Sequence, residues 1–161
     1  MNVLEYAINM ELDGEKFYNE QAEINKDNSL YVVCLMLAKD EKSHARILSH
    51  KLNDMVYELE ETDTLLQAKN IFKDIGDIKV ETKEVLSQLD FYKIASEKEK
   101  QSLEHYTEFL SKATEAKEKE LFEYLIKQEK QHYEVLEELA SLLRNAEEWV
   151  EAAEFGVRKE Y

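Results

Sequence analysis

One glutamate pattern occurs twice in this chain. An offset of 88 positions carries Glu11 onto Glu99, Glu41 onto Glu129 and His44 onto His132, so two copies of Glu-x-x-His and two further glutamates recur in the same order. An internally duplicated helix pair accounts for a repeat of this kind, with the pairs over residues 1–53 and 87–144. The chain has no proline and only three glycines, and its long stretches of Glu, Lys, Leu and Ala argue against turn-dense β architecture. An all-α fold is expected, and 161 residues match one ordinary domain, 1–161.

Helix 1 is expected from Asn2, whose spacing to Glu5 resembles a capping box, to about Glu23. The polar cluster Asn25 to Ser29 breaks it, and helix 2 follows from about Leu30 to about Asn53 as an antiparallel neighbour. Helix 3 is expected from Ser87 or Asp90 to near Lys112, and helix 4 from about Lys117 to Arg144. The intervening Asp54 to Leu86 is too long for a tight turn. It reads as a crossover that lets helices 2 and 3 run parallel, with a short helix over Thr64 to Asp74 ended by Gly76. The tail, Ala146 to Phe155, reads as a short C-terminal helix around Trp149, serving as a lid over one bundle end or a dimer contact.

Steps of three and four place residues on one helix face. Helix 1 yields Leu4, Ala7, Glu11, Gly14, Tyr18, and helix 3 yields Tyr92, Ala95, Glu99, Ser102, Tyr106. Helix 2 yields Leu30, Cys34, Leu37, Glu41, His44, Leu48, and helix 4 yields Phe122, Leu125, Glu129, His132, Leu136, Leu139, Leu143. Four glutamates thus interrupt an otherwise apolar seam. Isolated buried carboxylates cost several kcal/mol each after relaxation, so four facing one another must protonate, expand the bundle or be neutralised by cations. Two divalent ions balance four carboxylates, and the two imidazoles at i, i+3 from Glu41 and Glu129 add neutral nitrogen ligands on the same faces. A lone Glu-x-x-His on a Glu-rich helix is unremarkable; two copies that share the seam and the repeat are not.

Tyr18 and Tyr106 lie two turns beyond Glu11 and Glu99 on the same stripes. They read either as core tyrosines or as phenols donating to metal-bound carboxylates. Asp40 and Gln128, each preceding a motif glutamate, read either as solvated or as orienting the histidine of the opposite motif.

The formal charge of −15, from 36 acidic and 21 basic residues, repels phosphate backbones and anionic membranes, so no nucleic-acid or membrane partner is expected. The single cysteine, Cys34, excludes an intramolecular disulfide and a four-cysteine metal module within these residues. With no signal-like run near Met1 and no apolar segment long enough to span a bilayer, a cytoplasmic protein is expected.

The combination of A-x-x-x-E-x-x-G-x-x-F-Y (Ala7 to Tyr18), D-E-x-x-H (Asp40 to His44), A-x-x-x-E-x-x-x-x-x-x-Y (Ala95 to Tyr106), E-x-x-H (Glu129 to His132) and a Trp-containing tail resembles the rubrerythrin-like branch of the ferritin-like di-iron proteins. The resemblance covers nearly the whole chain and implies a ferritin-like four-helix bundle. It further implies two irons, with Mn or Zn as possible occupants, bridged by Glu41 and Glu129. Glu11 and Glu99 would be terminal ligands, with His44 and His132 one on each ion. The implied activity is a non-haem di-iron oxidoreductase that reduces hydrogen peroxide or oxidises Fe(II) with O2 or peroxide; iron binding or storage without sustained turnover is the alternative. A homodimer is implied too. Typical members place a further carboxylate one turn after the helix 3 ligand, where this chain has Ser102, so the peroxide-driven movement of an iron is not carried over. Rubredoxin-like modules need four cysteines, so the electron donor is expected to be a separate, rubredoxin-like protein.

Overall fold

The computed structural model describes the backbone of residues 2–75 and 82–159 and the side chains of residues 2–74 and 88–144. Among the described residues five helices form in order: α1 (Val3–Ile24), α2 (Leu30–Leu52), α3 (Thr64–Ile75), α4 (Thr82–Lys112) and α5 (Ala116–Lys159). No strand occurs among the described residues.

The local signals act as expected at the first hairpin. Asn2 Oδ1 accepts from Glu5 N at 2.8 Å while the Glu5 carboxylate accepts from Asn2 N at 3.3 Å, which satisfies two of the amides a helix start leaves unpaired. At the other end Asn25 donates from both its backbone N and its Nδ2 to Gln21 O, and Asn28 Oδ1 accepts from Leu30 N at 2.9 Å to open α2. Short amide side chains compete with the helical ladder here and turn the chain. Asp54, just beyond α2, takes a left-handed conformation with φ 53° and directs the chain into the crossover.

Two expectations need correction. The helix expected from Ser87 or Asp90 is α4, which already begins at Thr82; the polar residues before Ser87 do not break it because none is Gly or Pro. The separate short C-terminal helix does not form either. α5 continues to Lys159, since no Gly or Pro interrupts Ala116 to Phe155 and Glu- and Ala-rich sequence propagates a helix once started. Trp149 as a lid or dimer contact, and Gly76 as the stop of α3, lie outside the described residues.

Contacts across the bundle define its topology. Tyr18 on α1 meets Glu99 on α4 and Tyr106 meets Glu11, so α1 and α4 run antiparallel. Glu41 meets His132 while His44 meets Gln128, so α2 and α5 run antiparallel as well. With α1 and α2 joined by a short turn, α2 and α4 must then be parallel, which is why the chain needs the crossover that contains α3.

The apolar seam packs into two plugs separated along the bundle. One gathers Tyr18, Leu30, Cys34, Leu37, Phe91, Leu136 and Leu139 with Ala68 and Phe72 of α3; the other gathers Ala7, Leu48, Tyr106, Leu121, Phe122 and Leu125. On all four long helices the polar residues of the seam fall between the two plugs, closed off from water at both ends.

Candidate metal centre

Glu11, Glu41, Glu99 and Glu129 converge between the plugs with His44 and His132, and none of the six is more than 4 % exposed. His44 Nδ1 lies 3.4 Å from Glu11 and 3.4 Å from Glu129. His132 Nδ1 lies 3.0 Å from Glu41, 3.4 Å from Glu99 and 3.6 Å from Glu129. The groups resolve into two overlapping sets that could each hold a metal ion: Glu11, Glu41, His44 and Glu129, and Glu41, Glu99, Glu129 and His132, with the ligand atoms of each set within 4.8 Å of one another. Glu41 and Glu129 belong to both sets, the placement a bridging carboxylate requires.

The remaining polar groups hold this constellation from outside. Tyr18 Oη donates to Glu99 Oε1 and Tyr106 Oη donates to Glu11 Oε1, each at 2.5 Å, so each phenol holds the glutamate of the other repeat. Asp40 and Gln128 are buried, and they meet the histidine of the opposite motif: His132 Nε2 with Asp40 Oδ2 at 2.9 Å, His44 Nε2 with Gln128 Oε1 at 3.1 Å. Both imidazoles therefore present Nδ1 to the carboxylates and Nε2 to an outer acceptor.

Metal-ion ligation suits what the side chains leave undone. Glu11 Oε2, Glu99 Oε2, both oxygens of Glu129 and His44 Nδ1 are buried without a hydrogen-bond partner. Unpaired buried polar atoms are costly and rare, and five at one spot are explained together by cations at their focus. Oxygen-rich donors with one imidazole per ion suit Fe(II) or Mn(II).

Without cations, protons balance the charge. His44 is pushed up to about 10: burial works against its charge, but Glu11 and Glu129 outweigh that. His132 likewise stands well above its ordinary value, with burial overcome by Glu99 and by its hydrogen bonds to Asp40, Glu129 and Glu41. Burial and the charge of Glu129 raise Glu99 to about 8, and burial with Glu11 and Glu129 raises Glu41 strongly. Glu11 goes the other way, to about 2, because His44 and its hydrogen bonds overcome the burial penalty. Glu129 is lowered as well: burial and Glu11 oppose its charge, but the neighbouring Glu99, His132 and His44 outweigh them, so raised acids and imidazoles face lowered carboxylates. Protons held there can exchange for divalent cations.

Two contributing residues were not singled out from the sequence. A Cβ at Gly14 would stand 2.7 Å from Glu41 Oε2, so glycine at this point of α1 makes room for the shared carboxylate. The available signal was a glycine within a run of good helix formers. Thr64, at the start of α3, donates from Oγ1 to Asp40 Oδ2 at 2.6 Å, and no local pattern announces that contact. A cleft of about 350 Å³ between α1 and α4 reaches the constellation, with Gly14, Tyr18, Glu41, Glu99 and Ser102 in its wall and Tyr6, hydrogen-bonded to His105 at 3.2 Å, in its lining.

A helical bundle with a buried carboxylate and histidine cluster of this composition defines the ferritin-like di-iron carboxylate class. Within that class the Rubrerythrin family model matches residues 2–140, and the chain belongs to the rubrerythrin family. Comparisons with curated proteins and with solved structures returned no significant match. No helix among the described residues is long and apolar enough to cross a membrane.

Proposed function

We propose that the chain is a non-haem di-iron oxidoreductase that reduces hydrogen peroxide, drawing electrons from a separate carrier protein. Glu11, Glu41, His44, Glu99, Glu129 and His132 would hold the two irons, with Glu41 and Glu129 shared. The observation that carries the reading is the set of unpartnered buried ligand atoms facing one focus, reached by a cleft. The chemistry that two bound ferrous ions supply is one electron each, the two electrons needed, with two protons, to reduce peroxide to two waters.

The protein's own groups position the ligands and keep their own protons. Tyr18 lies in the cleft wall beside Glu99, and burial together with the Glu99 charge keeps its phenol protonated far above its usual range. It therefore holds Glu99 Oε1 in place as a hydrogen-bond donor and does not become a phenolate beside the approaching oxidant. Tyr106 is held protonated in the same way by burial and the charge of Glu11. Gly14 keeps Glu41 Oε2 within reach of the cleft, while the two apolar plugs exclude bulk water along the bundle axis. The same ligands support oxidation of Fe(II), with that ion then a substrate entering by the cleft.

Elemental analysis and rapid mixing test the reading. Glu41→Ala and His132→Ala should each lose most bound iron, and unchanged occupancy would refute the ligand assignment. The diferrous protein should consume peroxide steadily when a reductant is supplied. A single slow oxidation followed by retention of iron would instead establish storage, and indifference to both peroxide and O2 would remove the redox reading altogether.

A further inference from the structure

The duplicated halves match at most of the centre and differ chiefly at one pair of buried contacts. Each terminal glutamate is held by a tyrosine at the same 2.5 Å, and Glu41 and Glu129 are common to both cation sets. The partners of the two imidazoles are not alike. His132 Nε2 faces a carboxylate oxygen, Asp40 Oδ2, which also accepts from Thr64 Oγ1 at 2.6 Å. His44 Nε2 faces a neutral amide oxygen, Gln128 Oε1, with Thr62 Oγ1 more distant at 3.5 Å, and Gln128 Nε2 has no partner. Gly14 and Ser102 also break the repeat, but Gly14 adjoins Glu41, which both sets share.

We propose that the two cation positions are inequivalent, the one at His132 being the tighter and the first filled, because Asp40 gives its imidazole an anionic hydrogen-bond acceptor where His44 has a neutral one. This rests on the six residues being metal ligands. When Nδ1 binds a cation, Nε2–H must donate outward. A carboxylate acceptor strengthens that hydrogen bond, pushes electron density toward Nδ1 and makes the imidazole the better ligand. Asp40 also places a further negative charge in direct contact with the imidazole of that position and not with His44, in surroundings where screening is weak. Thr64, from the crossover helix, holds the carboxylate in place, so α3 acts on one metal position and not the other through this contact. Asp40 and Gln128 are positioning residues: they act through the histidines.

Zn²⁺, which undergoes no redox change, serves as the probe, titrated into the metal-free full chain while the two histidine rings are followed by ¹H–¹⁵N NMR. At one Zn²⁺ per chain the His132 ring should be shifted in preference to His44, by roughly tenfold in occupancy. Asp40→Asn should abolish the preference and weaken the tighter step about 10- to 100-fold. Gln128→Glu should also abolish it, by tightening the weaker step, and this variant keeps the test decisive if Asp40→Asn folds poorly. The double variant Asp40→Asn, Gln128→Glu should fill His44 first, an inversion that mere repulsion between two ions in equal sites does not produce. Two Zn²⁺ bound with both rings shifting in parallel would overturn the inequivalence and leave the metal centre standing, as would a Gln128→Glu variant that still fills His132 first. No Zn²⁺ bound at all would overturn both.

Discussion

Gly14 shows how a single hydrogen can matter between two helices. In an exposed helix interior, replacing Gly by Ala stabilises by about 1 kcal/mol. Here the new methyl would meet the far end of the Glu41 side chain at 2.7 Å, a group that could swing aside while free but not if it bridged cations as proposed. Gly14→Ala should therefore leave the metal-free melting temperature unchanged or slightly higher and weaken metal binding by roughly tenfold or more. Paired calorimetric scans with and without metal check it, and a loss of stability confined to the metal-free form would contradict the account. The tyrosines offer a complementary case. Tyr106→Phe removes the donor to buried Glu11 and leaves a second unpaired oxygen there, so it should destabilise the metal-free protein by about 1–3 kcal/mol in denaturant titrations.

Among the helices, α3 has the least obvious purpose and the clearest energetic signature. Its Ala68 and Phe72 are buried against the plug formed by Leu37, Leu136 and Leu139, so α3 itself is packed down along the bundle. Phe72→Ala should cost about 3–5 kcal/mol by leaving a cavity beside that plug, measured by chemical denaturation. At the start of α1, Asn2→Ala removes an exposed capping box and should cost only about 1 kcal/mol. The contrast separates elements held by tertiary packing from ends held by local hydrogen bonds.

For the molecule as a whole, the buried cluster ties metal-free stability to pH in one sense and metal affinity in the other. Folding keeps a proton on His44 up to about 10 and on Glu99 up to about 8, whereas their ordinary values are 6.5 and 4.5. Each raised group contributes stability that is complete below its unfolded value and is lost as pH rises through its folded one. Glu11, lowered to about 2, contributes above its ordinary 4.5 and loses that contribution only in strong acid. The metal-free melting temperature should thus fall between about pH 5 and about pH 10. Cations compete with those same protons, so metal affinity rises over this window and the stabilisation by metal widens. Calorimetry across that range checks the signs, and titrations in buffers of different ionisation enthalpy should detect protons released as ions bind near neutral pH.

The helical period and the repeat made the inward stripe legible, and every motif residue from Leu30 to Leu48 on α2 and from Phe122 to Leu143 on α5 is buried where the spacing places it. That information is local: residues three and four apart share a face whatever the helix packs against. The ambiguity over Asp40 and Gln128 could not be resolved locally, because the opposite histidines lie 92 and 84 positions away in the chain. Nor could the exchange of tyrosines between repeats, which exists only because α1 and α4 run antiparallel. Thr64 on Asp40 and the room at Gly14 belong to the same kind. Which side chains face inward follows from a 3.6-residue period, but which of them touch depends on the direction and depth at which helices pack, and only the assembled bundle sets those.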